Sequence, residues 1–340
     1  MDGLLIIDKP VGPTSHDVVA RVRHVLGERR IGHTGTLDPA ASGVLPLVIG
    51  RATRLAQFLS TADKIYEATI TLGVETDTYD GLGQRIGAPY IGPLPSRTQI
   101  ERALDEFRGT FRQEPPAYSA KRVDGRRSYK IAGAAARDRQ LFLTGAGAPP
   151  PARSYDDASR QTARHGRGRS PFVPPALVAL PAPVSVTAHS IEWVGMEGDG
   201  VALRVTCAAG FYVRSLAHDL GARLGTGAHL SSLRRTESGD ASIADAVPLA
   251  TVERNREAAV EALVPLARML PRLDSVVLTD EGVRWAVNGR DLGPGVMLSG
   301  LAEPRLTSSM IRLLDARGDL VGIGKPRGAS GVLHPCVVLV

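Results

Sequence analysis

The sequence predicts an α+β fold built on a mixed or antiparallel sheet. Three observations lead there. Strand-like and helical segments both occur, but they do not alternate as a parallel α/β sheet requires. A tract at 138–183, rich in Pro, Gly, Ala and Arg, carries little apolar period and interrupts them. The stretch 274–340 turns to short apolar runs punctuated by Gly and Pro, the composition of a compact β-rich module. A chain of 340 residues has room for two domains. The expected division is a principal domain at 1–250, a helical connection at 251–273 and the small module at 274–340.

Taken in order, residues 3–8 read as a strand closed by the Lys9-Pro10 turn. Thr14 or Ser15 can cap the helix that follows. Val18, Val19, Val22, Val25 and Leu26 recur at helical spacing, and Gly27 stops the helix. Residues 32–43 are dense in Gly, Thr and Pro and are expected to lack regular structure. Helical character returns at 52–59, and 65–74 alternates as a strand. Residues 98–107 and 128–136 read as helices. The tract 138–183 is expected to be an exposed, mobile, basic insertion. Strands are expected at 184–194 and 201–207, and a helix at 213–224. In the last module, 274–278, 311–315, 320–323 and 336–340 are β-type runs, and 280–288 can form one helix.

Composition narrows the function. The net charge of +6 favours a polyanionic partner, nucleic acid first. Only five of the 41 basic residues are lysine, an arginine bias that a GC-rich genome also produces, so the position of the charge matters more than its sum. Residues 121–130 hold five cations against one Asp, and Arg153, Arg160, Arg164, Arg167 and Arg169 extend the tract. Such a run can follow phosphates or simply be a solvated face. The two cysteines and eight histidines form no metal-ligand spacing, so no metal is expected. The N-terminus lacks the pattern of a signal peptide, and no run approaches the roughly 20 apolar residues of a membrane span. A cytoplasmic protein with no membrane contact is expected. Gly324-Lys325 is followed by Pro326, not by Ser or Thr, so the C-terminal GIGKPRG is not a phosphate loop.

Three places can carry chemistry. In Gly32-His33-Thr34-Gly35-Thr36-Leu37-Asp38-Pro39, two glycines allow tight turning and Pro39 restricts Asp38 to an extended backbone. This is a stiff loop presenting one acid, although Asp beside Pro is also the composition of an ordinary Asx turn or helix cap. In Gly210-Phe211-Tyr212-Val213-Arg214, Arg214 falls in a first helical turn, where a cation opposes the helix dipole. A carboxylate partner would explain it; an ordinary surface arginine would not need one. Tyr66 stands at the mouth of a strand, where an aromatic can stack on a base or belong to the core.

The segments GLLIIDKPVGPTSHDVV, RIGHTGTLDPAASGVLPLVIGRATRL, KIYEATITLGVETDTYDGLG, PPAYSAKRVDGRRSYK and CAAGFYVRSLAHDLGARLGTGAHLSSLRRTESG resemble, in order, successive blocks of bacterial TruB pseudouridine synthases. The resemblance covers roughly residues 3–135 and 184–250. It implies a synthase core with a central mixed sheet and a cleft, and an enzyme that isomerises uridine 55 in the TΨC arm of tRNA. Its catalytic aspartate falls on Asp38, its base-stacking tyrosine on Tyr66 and its carboxylate-pairing arginine on Arg214. The histidine that helps hold the flipped nucleotide falls on His33, an aromatic of the pocket on Tyr212, and the KP turn on Lys9 and Pro10. The module at 274–340 resembles the PUA-type RNA-binding domain. No cofactor and no obligatory protein partner are implied, and tRNA is the expected ligand. The family pattern departs at the thumb region, where about 40 extra residues intervene here.

The resemblance also makes chemical sense. Uridine must be detached at N1 and reattached at C5 without redox change, after being flipped out of a folded arm. A carboxylate beside C1′ and C6, a cation beside that carboxylate, an aromatic platform and a base for the C5 proton are needed. Asp38 has three open routes: attack at C1′, attack at C6, or abstraction of a sugar proton. Tyr66 is one candidate for the C5 base. An RNA-guided pseudouridylase would need a longer basic C-terminal region than this sequence has. A tRNA-folding chaperone of the same fold would not need the Asp38, Tyr66 and Arg214 set.

Overall fold

The computed structural model describes residues 1–118, 122–123, 126–127, 182–299, 309–328 and 331–339. The helix expected at 128–136 and all but the last two residues of the expected insertion lie outside the described residues. So do most of the basic tract at 121–130 and the arginines from Arg153 to Arg169.

The first half of the chain builds one side of a sheet. Strand β1 (Gly3–Lys9) buries Leu4, Leu5, Ile6 and Ile7 in succession, the signature of a strand covered on both faces. Helix α1 (Ser15–Leu26) begins at a capping box: Thr14 accepts from the Asp17 amide, and the Asp17 carboxylate accepts from the Thr14 amide. It ends at Gly27, whose φ of 67° is the left-handed C-cap that glycine adopts without strain. Strand β2 (Ile31–His33) pairs antiparallel with β3 (Ala41–Ile49), and a 3₁₀ turn at Gly50–Leu55 leads into the short helix α2 (Ala56–Ser60). The stretch 32–43 is therefore less irregular than its composition predicts. Both its ends are sheet, and only 34–40 is loop.

Strand β4 (Lys64–Leu72) alternates as expected, with Lys64, Tyr66, Ala68, Ile70 and Leu72 turned to one face. A small hairpin of β5 (Glu75–Thr76) and β6 (Arg85–Ile86) follows, then α3 (Arg97–Leu104) and β7 (Gly109–Gln113). Strands β8 (Arg122–Val123) and β9 (Arg126–Arg127) form a second short hairpin. The chain resumes with β10 (Val184–Glu197), β11 (Gly200–Cys207), α4 (Val213–Leu224), β12 (Ala228–Ser238), β13 (Ala241–Ser242) and β14 (Val247–Pro248). Helices α5 (Leu249–Arg254) and α6 (Arg256–Glu261) lead to the C-terminal strands β15 (Ser275–Leu278), β16 (Met297–Ser299), β17 (Ile311–Leu314), β18 (Leu320–Arg327) and β19 (Val332–Val338), with α7 (Asp280–Val287) between β15 and β16.

Ten strands form the large sheet, in the order β14-β1-β3-β12-β4-β11-β10-β7, with β2 on β3 and β13 on β12. The β1/β14 and β3/β12 pairs are parallel and the others antiparallel, so the sheet is mixed. Strand β12, absent from the sequence expectations, sits at its centre. Valines and leucines of α1, α3 and α4 pack on one face with Leu5, Ile7, Leu45, Leu47 and Ile70. Beneath β1 and β3, Leu4, Ile6, Val44 and Val48 share a second core with Leu320, Ile323 and Leu339 from the C-terminal strands. Those strands also form a five-stranded sheet over a core of their own.

Candidate active site

The loop Thr34–Ala40 crosses the ends of β3 and β12 and is held at nearly every residue. Thr34 N donates to Pro46 O, and Gly12 N donates to Pro39 O at 2.8 Å. The Ser15 hydroxyl, at the start of α1, accepts from Leu37 N at 2.8 Å and donates to Leu37 O at 3.0 Å. Ala41 N donates to Asp38 O, closing a turn around Asp38 and Pro39. These bonds fix the backbone on both sides of Asp38, whose side chain is partly exposed. A helix cap at Asp38 is excluded, because a strand follows at Ala41.

Arg214 meets that carboxylate. Its Nε lies 2.9 Å from Asp38 Oδ2, and the two side chains are 6% and 37% exposed respectively. The remaining guanidinium nitrogens donate to Thr78 O at 3.0 Å and Tyr118 O at 2.9 Å. Asp80 Oδ2 stands 3.8 Å away, from the loop between β5 and β6. An arginine in the first turn of α4 is thus set against the helix dipole by two carboxylates and two carbonyls. Gln113 holds the start of the same helix, donating to Tyr212 O and accepting from Tyr212 N.

Asp38, Tyr66, Tyr212, Arg214 and Leu233 line one cleft of about 260 Å³. Tyr66 is 9% exposed, and burial raises its phenol above the ordinary tyrosine range, while the charge of Arg235 opposes that rise. Lys64 also lines the cleft; burial and Arg235 push it down to about 8.

Lys9 occupies a different place from the cleft residues. It is fully buried, and its ammonium donates to Pro10 O at 2.8 Å and Pro13 O at 2.9 Å. It ties the turn whose Gly12 amide grips Pro39. Burial pushes it down to about 8 despite the nearby Asp38 charge. His33 lies outside the cleft lining too. Its ring meets His16 edge-on at 5.3 Å, and its buried Nδ1 has no partner among the described residues. Burial and the neighbouring cations lower its proton affinity.

Sequence reading missed Arg235 and Asp80. Arg235 is 1% exposed; it donates to Val44 O at 2.7 Å and Gly35 O at 3.1 Å. It is also the cross-strand partner of Tyr66. Its neighbour Arg234 faces the other way and pairs with Asp8. Consecutive arginines on opposite faces of one strand would have been the signal, had β12 been recognised as a strand. Gly43 makes the close approach possible. At φ 100° it lies against the Arg235 backbone, where a Cβ would sit 2.2 Å from Arg235 O.

Among the described residues, no group of His, Cys, Asp or Glu is placed to hold a metal. No helix there is long and apolar enough to cross a membrane.

A mixed sheet carrying an arginine-held aspartate beside a buried tyrosine defines the class: a pseudouridylate synthase. The model of the TruB family pseudouridylate synthase N-terminal domain matches residues 23–139, and that of the tRNA pseudouridylate synthase B C-terminal domain matches 214–278. A protein of Solibacter usitatus (strain Ellin6076) named tRNA pseudouridine synthase B is 37% identical over 341 residues, covering 100% of both chains. One of the same name from Geobacillus thermodenitrificans (strain NG80-2) is 36% identical, covering 90% of each. Among solved structures, a chain of an H/ACA RNP bound to a substrate RNA containing 2′-deoxyuridine superposes with a TM-score of 0.64 at 25% identity. The match covers 99% of this chain and 85% of that one. The chain belongs to the TruB family of pseudouridylate synthases.

Proposed function

We propose that this protein converts uridine 55 in the TΨC arm of tRNA to pseudouridine, with Asp38 as the catalytic carboxylate. The observation that carries the reading is the Arg214–Asp38 pair at the mouth of a cleft lined by Tyr66 and Tyr212. The N1–C1′ bond of the uridine breaks, a C5–C1′ bond forms, the C5 proton leaves and N1 gains one. Nothing is oxidised, so a carboxylate in a fixed position, a platform for the freed uracil and a base for the C5 proton, with Tyr66 one candidate, meet the need. Tyr66 and Tyr212 provide apolar surface for that base, and Leu233 closes the same lining. Arg214 fixes the direction of the Asp38 carboxylate. Its exposed oxygen surface is left for the nucleotide.

In this reading His33 contacts the flipped-out nucleotide, supported by a buried ring nitrogen with no partner among the described residues. Lys9 acts through the turn that holds Pro39. The module at 274–340 adds an RNA contact of the PUA type, and the protein works in the cytoplasm without an obligatory protein partner.

Asp38→Asn tests the assignment. It keeps the size of the side chain and removes its charge. The variant is expected to fold and bind tRNA but to form no pseudouridine at position 55, read by mass spectrometry of the tRNA. Pseudouridine formed at a rate near wild type would remove Asp38 from the chemistry. A tRNA-folding role without chemistry would survive in this variant.

A further inference from the structure

Arg214 is shared between a rigid loop and a less regular one. Asp38 sits on the loop fixed by Ser15, Gly12 and Arg235. Thr78 O and the Asp80 carboxylate, its other partners, sit on the loop between β5 and β6. The residue between them, Tyr79, has φ 62°, a left-handed conformation that a residue with a Cβ adopts only when its surroundings hold it. Turning Tyr79 back to ordinary φ would swing Thr78 O and Asp80 apart, so this part of the grip on Arg214 follows Tyr79, while Asp38 and Tyr118 O hold the guanidinium from other segments.

Tyr79 N donates to Thr76 O at 3.2 Å and Tyr79 O accepts from Leu230 N at 3.0 Å, and the ring adds a further hold. Tyr79 stacks flat on His218, with centroids 4.0 Å apart and planes 12° from parallel. His218 lies one turn beyond Arg214 on α4, on the same helical face. The helix thus presents two side chains to one loop: Arg214 takes the backbone of Thr78, and His218 takes the ring of Tyr79. Glu75 Oε1 lies 3.0 Å from His218 Nδ1, but that nitrogen makes no hydrogen bond. The stack is therefore the better-formed of the two contacts. Backbone bonds from Leu230 N to Tyr79 O and from Gly81 N to Leu230 O anchor the loop to β12 without fixing the tyrosine ring.

We propose that His218 is a positioning residue for the Asp38–Arg214 pair, acting by stacking on Tyr79 so that Thr78 and Asp80 stay closed around the guanidinium. The proposal rests on the reading of Asp38 and Arg214 as the reacting pair. What it adds is that the geometry of that pair is set by an aromatic contact outside the cleft. A flat ring at position 218 is the requirement; charge is not.

The test uses the full-length protein with His218→Ala, His218→Gln and His218→Phe, together with Tyr79→Ala and the His218→Ala/Tyr79→Ala double variant. Single-turnover pseudouridine formation at saturating enzyme is expected to fall roughly 10- to 100-fold in the alanine and glutamine variants, as misplacement of a reacting group does. tRNA affinity stays unchanged. Phenylalanine restores the rate to near wild type, and the double variant is no slower than the slower single one. The glutamine variant covers a failure of the alanine variant to fold, since its amide can still reach Glu75 without offering a ring. In ¹⁵N-labelled protein, the Arg214 Nε–H signal shifts and exchanges faster in the glutamine variant but not in the phenylalanine one. A wild-type rate in His218→Gln, a phenylalanine variant as slow as glutamine, or rate and affinity falling together would each overturn the proposal. A responding Arg214 signal with an active Asp38→Asn enzyme would instead overturn the catalytic reading and leave the positioning intact.

Discussion

Replacing Arg214 with methionine removes the one cation that the Asp38 carboxylate touches among the described residues and leaves its volume largely filled. Thr78 O and Tyr118 O each lose a donor, and an acceptor left buried and unpaired costs about 1–3 kcal/mol. Asp38 is 37% exposed, so water replaces the guanidinium there. Asp80 is more deeply placed but keeps bonds from the Thr78 hydroxyl at 2.7 Å and Leu82 N at 3.1 Å. Removing a buried charge returns part of the loss. The expected net destabilisation is about 2–4 kcal/mol, a drop in Tm of roughly 3–6 °C for a chain of this size. Chemistry suffers more. Loss of one fixed charged donor at a reacting centre costs about 10²- to 10³-fold. The guanidinium is 6% exposed and spent on protein acceptors, so tRNA affinity hardly changes. Single-turnover release of tritium from C5-labelled uridine in tRNA, filter binding and a circular-dichroism melt separate the three effects. A rate within tenfold of wild type, or lost binding with normal chemistry at saturating enzyme, would refute the assignment of Arg214 to Asp38. Arg214→Lys should fall between, because one ammonium cannot reproduce a planar fork that reaches three separate acceptors.

Arg235→Met takes donors from the buried Val44 O and from Gly35 O of the Asp38 loop; a loss of about 2–4 kcal/mol in stability is expected, and unchanged denaturant midpoints would contradict it. Burial pushes Lys9 down to about 8 in the folded protein, from the ordinary lysine value of 10.5. The unfolded chain then binds the extra proton between those values, so this group makes stability rise with pH across that window. The rise should be smaller in Lys9→Met, and parallel melting curves from pH 8 to 10 for the two proteins would exclude it. With a net charge of +6 and tRNA as ligand, affinity should fall with salt at a log–log slope of roughly 0.7–0.9 per phosphate contacted; a flat dependence would rule out an extended phosphate footprint.

Local chemistry determined a good deal of this protein from sequence alone. Thr14 with Asp17 starts α1 and Gly27 ends it, and the apolar spacing of α4 gives both its ends, because caps and helical period act within a few residues. The alternation of β4 and β11 is equally local. The stiffness of the Asp38 loop was legible in its glycines and Pro39, and the misfit of Arg214 with its helix dipole called for a carboxylate. That the carboxylate is Asp38 came only through the family resemblance and not from the local pattern, since the pairing depends on β3, β12 and α4 meeting across the sheet.

Strand β12 shows why the rest stayed hidden. Its sequence, AHLSSLRRTES, has polar residues on both faces and bulges after Leu230 and Arg235, so neither period 2 nor period 3.6 emerges. It is central because Gly43 lets β3 come close and because Tyr66 of β4 and Arg235 of β12 are partners across the pairing of those two strands. The sequence by itself determined many of the local elements and the stiff loop that presents Asp38. Only the tertiary structure decided that Arg235 lies under the Asp38 loop, that Lys9 is spent on a turn, and that Tyr79 leans on His218. Each of these is a pairing between distant segments, and its free energy exists only once the sheet has closed.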